Sequence, residues 1–200
     1  MTTSASTPRL RITLLWFLGL VGLTAVTRTP SLPGPVILLL DSAGFALVVT
    51  ACLGRIWCSV FIAGRKDTEL VTTGPYALCR HPLYALSMLG SAGLGLASHS
   101  LVLTAATLLI QGTLIANAVV AEERYLTARY DQRYALYRSN TPTFWPVRWK
   151  QSLPELTPVR PMILWKAFVD AGSFFVLLWL VIAARRFSDA GVLAAPVILP

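Results

Sequence analysis

The sequence predicts an all-α, polytopic integral membrane protein. Three observations carry this: a shortage of charge, long apolar segments, and basic residues gathered on alternate connections. Of 200 residues, 13% are charged and 55% hydrophobic, against about 25% charged in a soluble domain. Too little polar side chain is present to cover a water-facing surface, and mean hydropathy is +0.64. That balance excludes a disordered chain and a soluble nucleic-acid binder, although the net charge is +8. Cys52, Cys58 and Cys79 are odd in number and form no CxxC pair, so no disulfide framework is expected. Cys52 and Cys58 read as small core residues. His81 and His99 stand at no zinc-ligand spacing from them, and no metal is expected.

Five spans are expected. The first covers residues 10–26, preceded by Arg9 and Arg11 and closed by a turn containing Arg28, Pro30, Pro33 and Pro35. The second, 36–63, exceeds one perpendicular crossing and should tilt; Asp41 and Arg55 interrupt it. These two are fourteen positions apart, about four turns, too far to pair with each other, so each reads either as a functional charge or as one with a structural partner on another helix. The third span, 82–97, is rich in small residues (Ala85, Ser87, Gly90, Ser91, Gly93, Gly95), which permit close helix packing. A short Ser98-His99-Ser100 link, with His99 expected to be inert, leads to the fourth at 101–120. Together they should form a helical hairpin. The fifth covers 162–184 and ends in Arg185 and Arg186.

Lys and Arg counts orient the spans. With the N-terminus cytoplasmic, the inner segments hold Arg9, Arg11, Arg65, Lys66, Arg80, Arg124, Arg129, Arg133, Arg138, Arg148, Lys150, Arg160 and Lys166, thirteen of the seventeen basic residues. Between the fourth and fifth spans, Leu126, Tyr130, Tyr134 and Tyr137 recur at helical spacing among four arginines. An interfacial amphipathic helix over 122–138 is expected, its tyrosines at headgroup depth. Pro142, Pro146, Pro154, Pro158 and Pro161 then forbid long helices before the fifth span.

The hairpin brings its two ends to one membrane face, so Arg80 and His81 should lie near Glu122 and Glu123. Pro82 suits a first helical turn, and the helix start offers free N–H groups and a positive dipole end to an anion. The acids close the fourth helix, where the dipole disfavours them, and call for a cationic partner or an exposed location. A zwitterion would satisfy both ends.

Gly74-Pro75-Tyr76-Ala77-Leu78-Cys79-Arg80-His81-Pro82-Leu83-Tyr84 resembles the GPYxxxRHPxY signature of the isoprenylcysteine carboxyl methyltransferase and phospholipid methyltransferase family. Glu122-Glu123, followed by Tyr130, Tyr134, Tyr137, Pro142 and Pro146, resembles its second motif. The likeness covers about 64–146, within a single domain of 1–200. It implies S-adenosyl-L-methionine as cofactor, bound from the cytoplasmic face, and methyl transfer to a lipid or lipophilic small molecule arriving from the bilayer. By the same resemblance Leu70, Val71 and Tyr76 line the adenosine side, Arg80, His81, Pro82, Leu83 and Tyr84 form the first-motif contact, and Glu122, with Glu123 beside it, is the cofactor-binding acid. The residue chemistry agrees: the cofactor's carboxylate suits Arg80, its ammonium Glu122. Methyl displacement from sulfonium needs alignment and dryness more than an acid or base, so no catalytic residue is assigned. The sequence departs from the prenylcysteine pattern at Ala118, where an arginine for the substrate carboxylate is expected, and at Tyr130-Asp131 and Asn140-Thr141. A membrane reductase of the steroid-reductase type, using NADPH, and a non-catalytic membrane scaffold are the alternatives.

Overall fold

A computed structural model describes residues 3–28, 32–65, 68–145, 159, 161–191 and 197–198, with side-chain surroundings given between residues 10 and 191. Pro30, Lys66, Pro146, Arg148, Lys150, Pro154, Pro158 and Arg160 lie outside the described residues, and the surroundings of Arg9 are likewise not described. The elements run α1 (Thr3–Val26), β1 (Thr27–Arg28), α2 (Gly34–Ile62), α3 (Pro75–Leu78), α4 (Pro82–Ala97), α5 (Leu101–Asn140), α6 (Pro161–Asp189) and β2 (Val197–Ile198). The protein is thus mostly helical. Its strands form one short parallel pairing, Thr27 with Val197 and Arg28 with Ile198.

Of the five expected spans, α2, α5 and α6 are long and apolar enough to cross a membrane. Leu10–Val26 and Pro82–Ala97 are shorter apolar helices; the 16 residues of α4 rise about 24 Å against a hydrocarbon core of about 30 Å. Leu15, Leu38, Leu39, Leu53, Leu101, Leu109, Trp165 and Trp179 are exposed. Large apolar side chains facing outward in such number suit lipid rather than water.

The chain divides into two compact units. The first comprises Met1–Val49, Met88–Leu114 and Ser173–Pro200. In it, α2 and α4 meet backbone to backbone: a Cβ on Gly93 would stand 2.6 Å from the Gly44 carbonyl oxygen, and one on Gly44 2.9 Å from that of Gly93. The expected close packing through small residues is present. Phe17 of α1 meets Phe174 of α6 edge-on at 6.3 Å between ring centres, and Ser188 donates to the Thr27 carbonyl at 2.8 Å. Asp41 finds its partners here. Arg185 donates to its two carboxylate oxygens at 2.9 and 3.2 Å. His99 Nε2 stands 2.8 Å from Asp41 Oδ1 and against Arg185. The expectation that His99 is inert is therefore corrected: the turn bends it, at φ 56°, into this ionic cluster.

The second unit comprises Thr50–Ser87 and Ile115–Gly172. Its core is Cys58, Phe61, Val71 and Tyr76, flanked by Leu83 and Leu86; Cys52 and Cys79 are also buried free thiols. Gly74 is fixed by two constraints. It sits at φ 61°, and an added Cβ would fall 2.4 Å from the Phe61 ring, so only glycine turns the chain into α3 there. The backbone of α5 does not break near residue 121, where apolar character ends, but at Asp131, with φ 41° and ψ −116°. Beyond it, Tyr134 is wholly buried and Tyr137 donates to the Tyr76 carbonyl at 2.6 Å. The expectation of tyrosines at headgroup depth is corrected for these two, which pack inside the protein.

Candidate functional site

The site assembles in the second unit, where the start of α4 meets the charged part of α5. Arg80 Nε and Nη2 donate to Glu123 Oε1 at 3.1 and 2.7 Å. Nη1 donates to the carbonyls of Arg138 at 3.2 Å and Thr141 at 2.5 Å, and Nη2 also to Thr143 Oγ1 at 3.0 Å. A guanidinium has five N–H donors, and these five contacts occupy them all. The backbone joins in: Arg80 N–H bonds the Pro142 carbonyl at 2.8 Å and His81 N–H the Thr143 carbonyl at 3.0 Å. Residues 141–143 thus form a strap across the beginning of α4. The open arginine expected there for an anion is instead engaged by the chain itself, as are the N–H groups of Arg80 and His81 just before the helix.

His81, buried, turns Nε2 to Glu123 Oε1 at 3.3 Å and Nδ1 toward Glu122 Oε2 at 3.9 Å, and its ring stacks on Tyr84 at 5.7 Å. Glu123 lies past the apolar stretch 101–120. Burial pushes its pKa up, but hydrogen bonds and charge from Arg80, followed by those from His81, hold it below the ordinary glutamate value. Arg138 adds a contact to its second oxygen at 3.8 Å. Glu122 differs: its side chain is 32% exposed and its ion-pair contact is the 3.9 Å approach to His81. Tyr76 is buried, yet its hydroxyl has no hydrogen-bond partner among the described residues.

The structure brings Arg80, His81, Glu122 and Glu123 together as the hairpin argument requires. Of the two acids, Glu123 faces Arg80, and Glu122 is left to the approach of His81. Val71 and Tyr76 share the buried core cluster, with Leu83 packed against it, while Leu70 is half-buried and Pro82 buried. Arg138, Thr141 and Thr143 escaped sequence reasoning as site residues, and Tyr137 entered it only through the second-motif resemblance and the tyrosine spacing. The strap acts largely through carbonyl groups that every residue carries.

Fold and cluster together define a class, the helical membrane proteins with a polar centre where two apolar helices of a hairpin return to one end. The phospholipid methyltransferase family model matches residues 36–133, and the chain belongs to that family. It is 36% identical over 165 residues, 82% of this chain and 74% of the relative, to the cobalt-zinc-cadmium resistance protein CzcN of Cupriavidus metallidurans. To the nickel-cobalt-cadmium resistance protein NccN of Alcaligenes xylosoxydans xylosoxydans it is 44% identical over 105 residues, 52% of this chain and 49% of the relative. No solved structure matches. The family match ends at residue 133, so the strap and α6 lie beyond it.

Proposed function

We propose that the chain is a membrane methyltransferase that uses S-adenosylmethionine to methylate a small lipophilic acceptor. The observation that carries this is the pairing of a surplus carboxylate, Glu122, with the orphaned buried hydroxyl of Tyr76, beside an Arg80–His81–Glu123 cluster that is otherwise complete. That donor set fits a zwitterionic ligand: a carboxylate for an ammonium, and a phenol O–H for an acceptor atom. When bound, the cofactor supplies an electrophilic methyl group on a sulfonium.

The residues divide the work. Glu122 receives the ammonium. Arg80 is a positioning residue, holding Glu123 and the strap so that α4 and α5 keep their spacing. Val71, Tyr76 and Leu83, joined by Leu70, Pro82 and Tyr84, supply an apolar wall that keeps the transfer dry, and a dry, aligned site is most of what such a displacement needs. His81 orients both acids.

Five spans with a cytoplasmic N-terminus and cytoplasmic cofactor site complete the reading. Within the first unit, the end of α1, the start of α2, the α4–α5 turn and the end of α6 are tied together by Thr27–Ser188 and by Asp41, His99 and Arg185. Helices that alternate in direction meet this way when each crosses the same layer. The named roles of the relatives further lead us to infer a part in tolerance of transition metals through a methylated membrane component. Restored tolerance in a deletion strain by the wild type but not by Glu122→Gln would support that part.

Titration of detergent-solubilised protein with S-adenosylhomocysteine by calorimetry, alongside transfer of label from S-adenosylmethionine into a bacterial lipid extract, tests the main reading. Saturable binding and a labelled lipid are expected. A protein that binds NADPH and not S-adenosylhomocysteine overturns it in favour of a reductase, and one that binds neither in favour of a scaffold.

A further inference from the structure

A second charged group in the second unit is not used by the cofactor reading. Arg55 of α2 donates to Asp170 of α6 and to Ser87 of α4. It lies seven residues before the end of α2, and Asp170 nine residues after the start of α6, so each is about 10 to 14 Å along its helix from the nearer end. On α4, Ser87 is six residues past His81, about 9 Å along the axis. Arg55 also stands one turn from Cys58, which packs with Tyr76 and Val71 in the core cluster. The pair is therefore next to the proposed cofactor region, farther along the helices and at a depth where charges are costly and rare.

Its exposure distinguishes it from glue between helices. Arg55 is 17% exposed, but the Asp170 side chain is 60% exposed. An intramembrane ion pair that only joins helices is normally turned inward; this one opens its acid to the surroundings of the bundle. Two features hold the arginine in place while the acid stays open. Ser87 fixes the guanidinium from α4, its own hydroxyl donating to the Leu83 carbonyl at 2.7 Å, and the Cys52 thiol donates to the Ala171 carbonyl at 3.1 Å, beside Asp170. Arg55 thus presents a preset planar cation shared with a carboxylate that a competing anion can displace.

We propose that Arg55 receives the anionic headgroup, carboxylate or phosphate, of the lipophilic acceptor, and that Asp170 occupies that place until the acceptor arrives. This rests on the methyltransferase reading for the word acceptor, while the headgroup site itself stands on the pair. A guanidinium fork binds either anion in two-point fashion, and an acceptor gripped here has its chain in the bilayer and its head toward the Tyr76 region.

The test uses the full chain in nanodiscs and three photoreactive probes with the same alkyl chain: a fatty acid, a phosphatidic acid and a fatty alcohol. Labelled peptides are identified by mass spectrometry, and S-adenosylhomocysteine affinity is measured on the same samples. The fatty acid, the phosphatidic acid or both should label α2 and α6 around positions 55 and 170, at least tenfold above the alcohol; which of them does names the headgroup. Arg55→Gln should abolish that labelling, Arg55→Lys should retain part of it, and Asp170→Asn should raise it severalfold by removing the competitor. Equal labelling by the alcohol, or labelling indifferent to Asp170→Asn, overturns the proposal even where Arg55→Gln fails to fold. Absence of S-adenosylhomocysteine binding by the wild type overturns the cofactor reading alone, because headgroup capture at Arg55 does not depend on it.

Discussion

Among the described residues, two clusters join arginine, histidine and carboxylate, and they differ in what they leave over. In the first unit, Asp41 takes both arms of Arg185 and the His99 ring, one acid against one arginine. In the second, Arg80 meets one of two acids: Glu123 takes two of its five donors, and Arg138, Thr141 and Thr143 take the others. Glu122 remains, a third exposed, with the Tyr76 hydroxyl, partnerless among the described residues, in the same unit. The first cluster is electrically closed and explains how helix ends are held. In the second, the arginine–carboxylate contacts among the described residues all fall on Glu123 and leave Glu122 to His81, the condition for binding a cation from outside.

The largest effect should come from Arg80→Ala. The side chains of Arg80 and Glu123 are only 9% and 15% exposed, so removing the cation strands a buried carboxylate and releases the strap. A loss of about 3–5 kcal/mol is expected, read as a fall in unfolding midpoint in detergent, with S-adenosylhomocysteine binding lost as well. Arg185→Ala is the contrast. Asp41 is a third exposed, so a smaller destabilisation of about 1–3 kcal/mol is expected, and the folded fraction should bind S-adenosylhomocysteine as the wild type does. Should Arg185→Ala reduce affinity as much as Arg80→Ala, the division between holding and binding clusters fails.

Next comes the distinction between neighbouring acids. Glu122→Gln should leave stability within about 0.5 kcal/mol, as for a substitution that breaks no buried pair. It should weaken S-adenosylhomocysteine by roughly tenfold to a hundredfold, since a charge-assisted hydrogen bond contributes about 1.5–3 kcal/mol. Glu123→Gln should do the reverse in emphasis, losing stability first because Arg80 then lacks its counter-charge. Matching profiles for the two variants, by calorimetry and denaturation, would erase the assignment of separate roles.

That pair also marks the limit of what the sequence discloses. Hydropathy reveals the apolar helices because lipid contact demands apolar length: α4 falls on 82–97 as expected, and α2 is displaced by only two residues at its start and one at its end. Hairpin geometry likewise brings positions 80–81 to 122–123 without knowledge of any contact. It cannot choose between 122 and 123, because successive helical residues differ by about 100° in direction and side-chain type is the same at both. The end of α5 is hidden for a related reason. Ala121, Glu122, Glu123, Arg124 and Leu126 are good helix formers, so loss of apolar character at residue 121 does not stop the helix, and the break waits for Asp131, a residue type that tolerates positive φ. His99, inert by sequence, gains its role from Asp41 and Arg185, which are 58 and 86 positions away.

The smallest effect, and the one most specific to an open site, belongs to Tyr76→Phe. A buried hydroxyl without a partner costs free energy in the folded chain, so its removal should raise the unfolding midpoint slightly or leave it unchanged. If the same hydroxyl donates to a bound ligand, removal should weaken S-adenosylhomocysteine by a few-fold, about 0.5–1.5 kcal/mol for a neutral hydrogen bond. Stability and affinity then move in opposite directions at one atom. No closed cluster produces that combination: at Arg185 or Asp41 every lost contact lowers stability. A Tyr76→Phe variant that loses stability and keeps its affinity would mean that the hydroxyl is satisfied within the chain, and the surplus that separates the two clusters would shrink to Glu122 alone.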